Sequence, residues 1–566
     1  MAPPVRGATF GRVRRLIALL VVASLLAACG SEEDSGESGT VAKAVEEQLR
    51  YLDPESALVV AVDLRYDEEN WESLRGITDR VLEETRGVVE PESRDDVPPD
   101  ADAALGEFLK SWGLAFEDDT RPLLDGHLVV SLEFDAGPGS LEELMTVVYR
   151  TEEGDLQRVV EKMLQGTPLK AWRGNEDVLV ADVLGLVGGD TLVVAETPEH
   201  LTTTLERAEA GGGFAPELLD AAEQGAGILD PLLLATATPD IGRAFFDGED
   251  VERARAEVPY LAAVERLDFA LDVSDDAVTA RGQVVTTGAE LREEQLPLGP
   301  AGEVELPVVD DAIAGGSLDQ SRITTFAASV ARSLFAESDF VATVEATERE
   351  LGIKFVDEVL RQFDCPSVSV FVPEGDDALG TAGRFSARSC VRDPERMRKL
   401  LPKLAPRLPG ILRAMHGLSG EGLLGLLMLA PDAPLSPGIT LLQVAVEPLA
   451  GGGPEEQLYE VSGLRESDTG EEVFAGPDRV VFGMIGDDFV VGSDRQAARD
   501  AAALETEPSS EPAASALRVP PGLVVGEMWG SDEANEVLAR TFGDVEVGFS
   551  ADPGATRAHA HMPLSD

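Results

Sequence analysis

The 566 residues are 43% hydrophobic and 27% charged, enough to bury sizeable cores in roughly two to four domain-sized units. Acidic residues outnumber basic ones 105 to 46, for a formal net charge of −59. That excess argues against a basic surface for nucleic acid or anionic headgroups.

The first predicted element is an export signal. Arg12, Arg14 and Arg15 precede an apolar run from Leu16 to Ala28, which is too short to cross about 30 Å of hydrocarbon as a helix. The run ends in Leu26-Ala27-Ala28-Cys29, which resembles the lipobox of bacterial lipoproteins. The resemblance implies a signal peptide over 1–28 and lipidation of Cys29 with diacylglyceryl and palmitate chains, more than the single chain that binds only marginally. Cleavage would remove four arginines and take the formal charge to −63. Residues 29–43 read as a flexible acidic tether.

The globular part begins near Val41. Ala57 to Leu64 is apolar and β-branched at almost every position, which predicts a buried strand. A helix is expected from about Glu68 to Val88, and another from Ala103 to Trp112. Gly113-Leu114-Ala115-Phe116-Glu117-Asp118 then leads through Asp125 into the strand Leu128–Leu132. Downstream, Gly352-Ile353-Lys354-Phe355-Val356-Asp357 leads through Asp364 into Ser367–Phe371, aligning at an offset of 239 without a gap.

The parallel continues. Thr146–Arg150 and its following helix (Asp155 to Gln165) resemble Arg384–Val391 and the helix Pro394 to Leu404. Gly185–Asp190, entering Leu192–Ala195, resembles Gly483–Asp488, entering Phe489–Gly492. Helices follow near Pro198 and Arg495, and paired strands close each part over Leu267–Val285 and Val545–Met562. An internal duplication follows, with halves over 44–300 and 301–566. Short turns between neighbouring strands require antiparallel pairing, so the fold class is α+β, each half an antiparallel sheet with helices covering one face.

The strand signature Asp53-Pro54 to Asp63-Leu64, the Asp125-Gly126 turn and Gly189-Asp190-Thr191-Leu192-Val193-Val194 resemble the bacterial domain-of-unknown-function family 3352. That family occurs in exported and membrane-associated proteins of actinobacteria and others. The resemblance implies an envelope location; it carries over no activity, cofactor or catalytic residue.

Cys365 and Cys390 flank two strands around the turn Glu374-Gly375-Asp376-Asp377. A hairpin symmetric about that turn brings them together, and a disulfide closing a loop of about 25 residues contributes on the order of 3 kcal/mol. Two buried free thiols are the plainer alternative. Gly420-Glu421-Gly422-Leu423-Leu424-Gly425 matches a dinucleotide fingerprint as a string, but it follows an apolar helical stretch rather than a strand. His559 and His561 would share one strand face and could offer half of a metal site, though a polar strand face is the simpler reading. The acidic clusters at Asp272, Asp275 and Asp276 and at Glu374, Asp376 and Asp377 fall where turns favour Asp.

The segment Leu408 to Ala430 is densely apolar and contains Met415 and Met428. It reads as core, or else as an apolar groove in which Leu412, Met415, Leu424 and Met428 would touch a ligand. No catalytic residue, metal ligand or cofactor site is assigned, and the chain is not read as an enzyme. The expectation is a lipid-anchored module on the extracytoplasmic face of the cell membrane. It would bind an apolar ligand or an envelope protein, and no nucleic acid. A carrier that shelters a lipid between sheet and helices is one alternative; a hydrolase with an unrecognised site is the other.

Overall fold

Strands dominate because runs such as Leu58-Val59-Val60-Ala61-Val62 are β-branched and apolar on both faces, a pattern that suits the middle of a sheet. The computed structural model describes residues 40–65, 69–88, 97–110, 114–137, 140–151, 156–164, 167–228, 231–244, 248–287, 291–308, 314–334, 339–363, 366–373, 383–411, 444–451, 453, 455–462, 479–521 and 532–565. The signal, Cys29 and the tether up to residue 39 lie outside them. So do Cys365, the Glu374–Asp377 cluster, the glycine-rich string from Gly420, and Leu412, Met415, Leu424 and Met428.

The first ten strands are β1 (Leu58–Asp63), β2 (His127–Gly137), β3 (Ser140–Arg150), β4 (Lys170–Trp172), β5 (Asn175–Ala181), β6 (Leu184–Val187), β7 (Thr191–Ala195), β8 (Leu233–Ala237), β9 (Val264–Ser274) and β10 (Ala277–Thr286). They pair antiparallel in the order β4-β5-β6-β7-β3-β2-β1-β8-β9-β10.

Twelve more follow: β11 (Glu305–Pro307), β12 (Ala314–Leu318), β13 (Ser367–Pro373), β14 (Gly383–Cys390), β15 (Ala445–Pro448), β16 (Glu456–Ser462), β17 (Arg479–Ile485), β18 (Asp488–Gly492), β19 (Thr506–Pro508), β20 (Ser515–Val519), β21 (Val545–Asp552) and β22 (Ala555–Pro563). Their antiparallel order is β15-β16-β17-β18-β14-β13-β12-β20-β21-β22, with β11 and β19 forming a separate pair.

β10 then pairs with β22, so all of these but β11 and β19 belong to one sheet of 20 strands. This corrects the expectation of a separate sheet in each half. The reason is physical: the closing hairpins β9–β10 and β21–β22 each leave an edge, and an edge strand satisfies its backbone groups by pairing.

Helices cover both faces, not one. On one face the short helices Val41–Ala44 and Glu46–Leu49 join Pro198–Glu209 and Pro216–Ala226 to bury Val59, Ala61, Val129 and Ala270. On the opposite face the helices Glu69–Val88, Ala101–Lys110 and Leu156–Met163 pack over Val62, Leu128, Val147 and Leu192. The helix Pro216–Ala226 and the strands β4 and β5 are additions to the expected element order.

Local signals explain the helix limits. Thr197 caps Pro198–Glu209 by accepting from His200 N–H at 3.1 Å, and Gly227 ends Pro216–Ala226 in the left-handed region. The first ordered turn is held from within: the Val41 N–H donates to the buried Glu223 carboxylate at 3.0 Å. The helix Pro394–Leu404 begins and ends where the sequence places it.

Cys390 is disulfide-bonded. The β13–β14 register pairs Val368 with Arg388, so continuing it sets position 366 opposite Cys390, one residue from the symmetric expectation.

Candidate functional site

The strands at the middle of the sheet are apolar on both faces, but the two faces are treated differently. In β1, Val59 and Ala61 are buried under helices while Leu58 and Val60 are half-buried. In β8, Leu234 and Thr236 are buried while Leu233, Ala235 and Ala237 are half-buried. In β9, Asp268 and Ala270 are buried, Leu267 and Leu271 are half-buried, and Phe269 is 41% exposed.

Register makes these half-open positions one surface. Val130, Val60, Ala235, Phe269, Gly282, Ala558 and Phe549 face one another strand by strand from β2 to β21. The neighbouring row runs Leu233, Leu271, Ala280, Ala560, Val547 and Leu517 from β8 to β20. No polar side chain interrupts either stretch.

Helix pairs wall this surface at two ends. Glu69–Val88 packs on Asp532–Thr541, with Ile77, Leu538 and Phe542 over Val278 and Met562. Gln320–Leu334 packs on Gly248–Glu257, with Tyr260 and Phe326 beside Val284 and Phe549. Tyr260 and Phe326 meet edge to face, their centroids 5.3 Å apart. Tyr260 also donates to Thr556 Oγ1 at 2.6 Å; burial pushes its phenol upward, against that hydrogen bond. Between the walls lies a recessed apolar bed, a surface that folded chains normally cover or use for binding.

A second concavity, a cleft of about 600 Å³, is lined by Asp102, Gly106, Lys110, Leu114, Phe116 and Lys162. Lys162 of its wall is tied to a buried carboxylate beside the cleft. The buried Asp119 carboxylate accepts from Ala115 N–H at 2.7 Å and from Arg158 Nη1 at 2.6 Å, and also pairs with Lys162. Burial alone would raise this carboxyl. The hydrogen bonds from Lys162, Ala115 and Arg158 outweigh it and bring the pKa from 3.8 to about 2.

The hydrolase alternative can be inspected at the histidines. His200 is buried, with Nε2 3.2 Å from Thr146 Oγ1 and 3.7 Å from Glu133 Oε2. Hydroxyl and carboxylate thus meet the same ring nitrogen, whereas a nucleophile–base–acid relay needs them on opposite nitrogens. His127 is buried 3.9 Å from Asp63, whose carboxylate is already held by Arg65.

His559 and His561 do share a strand face, the one opposite the apolar bed. His559 lies over Gly548 and 3.7 Å from Glu511, and His561 is 3.4 Å from Thr279 Oγ1. Among the described residues no group of three His, Cys, Asp or Glu side chains is placed to hold a metal. Of the first acidic cluster, Asp275 accepts from Ser73 and Asp276 from Ser274, each at 2.6 Å, as turn residues do.

The residues proposed from sequence as ligand contacts lie outside the described residues, and the apolar bed is built from others. Its signal was present: strands apolar at consecutive positions demand cover on both faces, and helices supply it fully on one.

No family model matches the chain, and no curated protein matches it. Among solved structures, crystal form I of TP0453 aligns at 7% identity with a TM-score of 0.23, over 43% of this chain and 80% of that one. A likeness of that size carries no argument.

Proposed function

We propose that the chain is a lipid-anchored, extracytoplasmic envelope protein of the 3352 type that binds without catalysis, and that the hydrocarbon of an envelope lipid occupies the apolar bed. The carrier reading is preferred over a plain interaction module because of one observation: the half-open apolar face across the centre of the sheet. A recess walled by helices is out of reach of a flat bilayer but open to single molecules. Each CH₂ transferred into it contributes about 0.8 kcal/mol.

The anchor fits this role by length. Eleven residues lie between Cys29 and Val41, and a fully extended chain over those twelve steps spans at most about 43 Å. The ectodomain would therefore work within a short reach of the bilayer, on a surface too acidic to adhere to anionic headgroups.

The reading includes an internal duplication over 44–300 and 301–566. It is supported by the identical order of ten strands on each side of the β10·β22 pair. It is also supported by a detail repeated at an offset of 239 for the carboxylate and the N–H donor and 238 for the arginine. Asp119 takes the Ala115 N–H and Arg158; Glu358 takes the Lys354 N–H at 3.2 Å and Arg396 at 2.5 Å.

Native mass spectrometry of protein extracted from its own envelope tests the function. The expected result is a lipid adduct that organic extraction removes. Cys29→Ala should move the protein from the membrane to the soluble fraction while the folded chain keeps its capacity for lipid. Protein that leaves the envelope empty, and stays empty when offered lipid, would sink the carrier reading.

A further inference from the structure

The helix Pro198–Glu209 rests on a polar patch that the corresponding helix Arg495–Ala502 does without. Ser131 of β2 pairs with Thr146 of β3, and Thr146 pairs with Ala195 of β7, two residues before the cap Thr197. Val370 of β13 pairs with Ser386 of β14, and Ser386 pairs with Gly492 of β18, two residues before the cap Asp494. Register and caps together match Ser131 with Val370, Glu133 with Val372, His200 with Ala497 and Thr204 with Ala501. Four polar side chains stand where the same arrangement elsewhere takes four apolar ones. Ser131, His200 and Thr204 are buried, and the Glu133 side chain is only 12% exposed. Burying polar groups short of partners costs stability. The second helix, with Val370, Ala497 and Ala501 buried, shows that the architecture does not require it.

Within the patch, the imidazole is the kind of group that changes charge near neutrality. His200 Nε2 lies 3.2 Å from Thr146 Oγ1 and 3.7 Å from Glu133 Oε2, the second beyond hydrogen-bond length. Among the described residues the charges around it are Glu133 on β2, Arg207 on its own helix and Asp53 in the turn before β1. Val59 of β1, Thr146 of β3 and Ala195 of β7 bring none, and Glu196 and Glu199 flank the cap in sequence. Arg207 donates to Asp53 Oδ2 at 2.6 Å and to the Tyr51 carbonyl at 3.0 Å, and stays 3.6 Å from Glu133 Oε1. Two carboxylates therefore share one guanidinium that is committed to Asp53, and Glu133 is left short of a cation. A proton on His200 supplies one. Thr204, a turn further along the helix, has its buried hydroxyl without a hydrogen-bond partner among the described residues, and it can accept from Nδ1–H.

We infer that His200 is a proton-operated latch: protonated, it donates from Nε2 to Glu133 and holds the helix Pro198–Glu209 against β2 and β3; neutral, it lets Glu133 go. A helix that gains a partner from the proton is favoured as pH falls and loses that advantage as pH rises.

Peptide-level hydrogen exchange of the full chain, at about pH 5 and about pH 8 and normalised for the intrinsic rate, tests the latch. Protection of Pro198–Glu209 should rise by at least about fivefold at the lower pH, with no comparable gain in Arg495–Ala502, the internal control with Ala497 in place of His200. His200→Gln and Glu133→Gln should each abolish the gain. Equal gains in the two helices, no gain in Pro198–Glu209, or a gain that survives in Glu133→Gln would overturn the assignment. The native chain alone decides if a variant does not fold. None of these outcomes depends on whether lipid occupies the apolar bed.

Discussion

At the scale of single residues, the informative groups are buried charges whose partners are named. Asp119 is the clearest, with its carboxyl held at about 2 by two cations and a backbone N–H. Its folded value is below the unfolded 3.8, so its contribution is present in full above that pH and lost as pH falls towards 2. Arg158 and Lys162 are nearly half exposed, and after allowance for screening the contribution is about 1–2 kcal/mol. Asp119→Asn should lower stability at pH 7 by that amount and flatten the acid limb of the stability curve. Equal destabilisation at pH 7 and below pH 2 would show that the carboxylate's charge is not what matters. Glu456 is held low in the same manner: burial opposes it, but hydrogen bonds from Arg499 and Arg495 prevail.

At the scale of elements, most boundaries were legible and the sheet was not. The helix Pro394–Leu404 is marked by Asp393, which accepts from Arg396 N–H, and by Pro394 at the first turn, so local chemistry places it. The β10·β22 pairing joins the two closing hairpins through residues 270 to 286 apart in sequence, and no local pattern distinguishes an edge left free from an edge that finds a partner. The apolar bed was hidden for a related reason. Leu58-Val59-Val60-Ala61-Val62 reads as buried on both faces, and apolar residues look alike whether a helix or a ligand covers them.

Glycines in matching strands give an element-level test. Gly483 of β17 has φ +152, and a Cβ there would lie 2.0 Å from Gln457 O on β16. Gly185 of β6, its counterpart, would bring a Cβ only to 3.4 Å from Leu201 Cδ1. Gly483→Ala should cost at least about 2–3 kcal/mol in chemical denaturation, while Gly185→Ala costs less than half as much. Equal losses would mean that the close β16–β17 approach is not retained in solution.

At the scale of the whole molecule, the charge of −59 acts on everything at once. Like charges gathered on one folded body repel, and salt shortens the range of that repulsion to about 10 Å at 0.1 M and about 3 Å at 1 M. The melting temperature should therefore rise by several degrees between low salt and 1 M NaCl. A fall would show that ion pairs such as Arg207–Asp53, 2.6 Å apart and partly buried, outweigh the net repulsion.

The joint at β10·β22 also has a consequence for the order of events during synthesis. The last strand made, β22, closes against β10, and the helix Asp532–Thr541 is the cover for Glu69–Val88. A chain emerging from its N-terminus therefore presents an unsatisfied sheet edge and an uncovered apolar helix until its final segment arrives. Such edges invite pairing between neighbouring nascent chains. The β10 edge and the side of Glu69–Val88 that meets Asp532–Thr541 are therefore covered only once those later residues have been made.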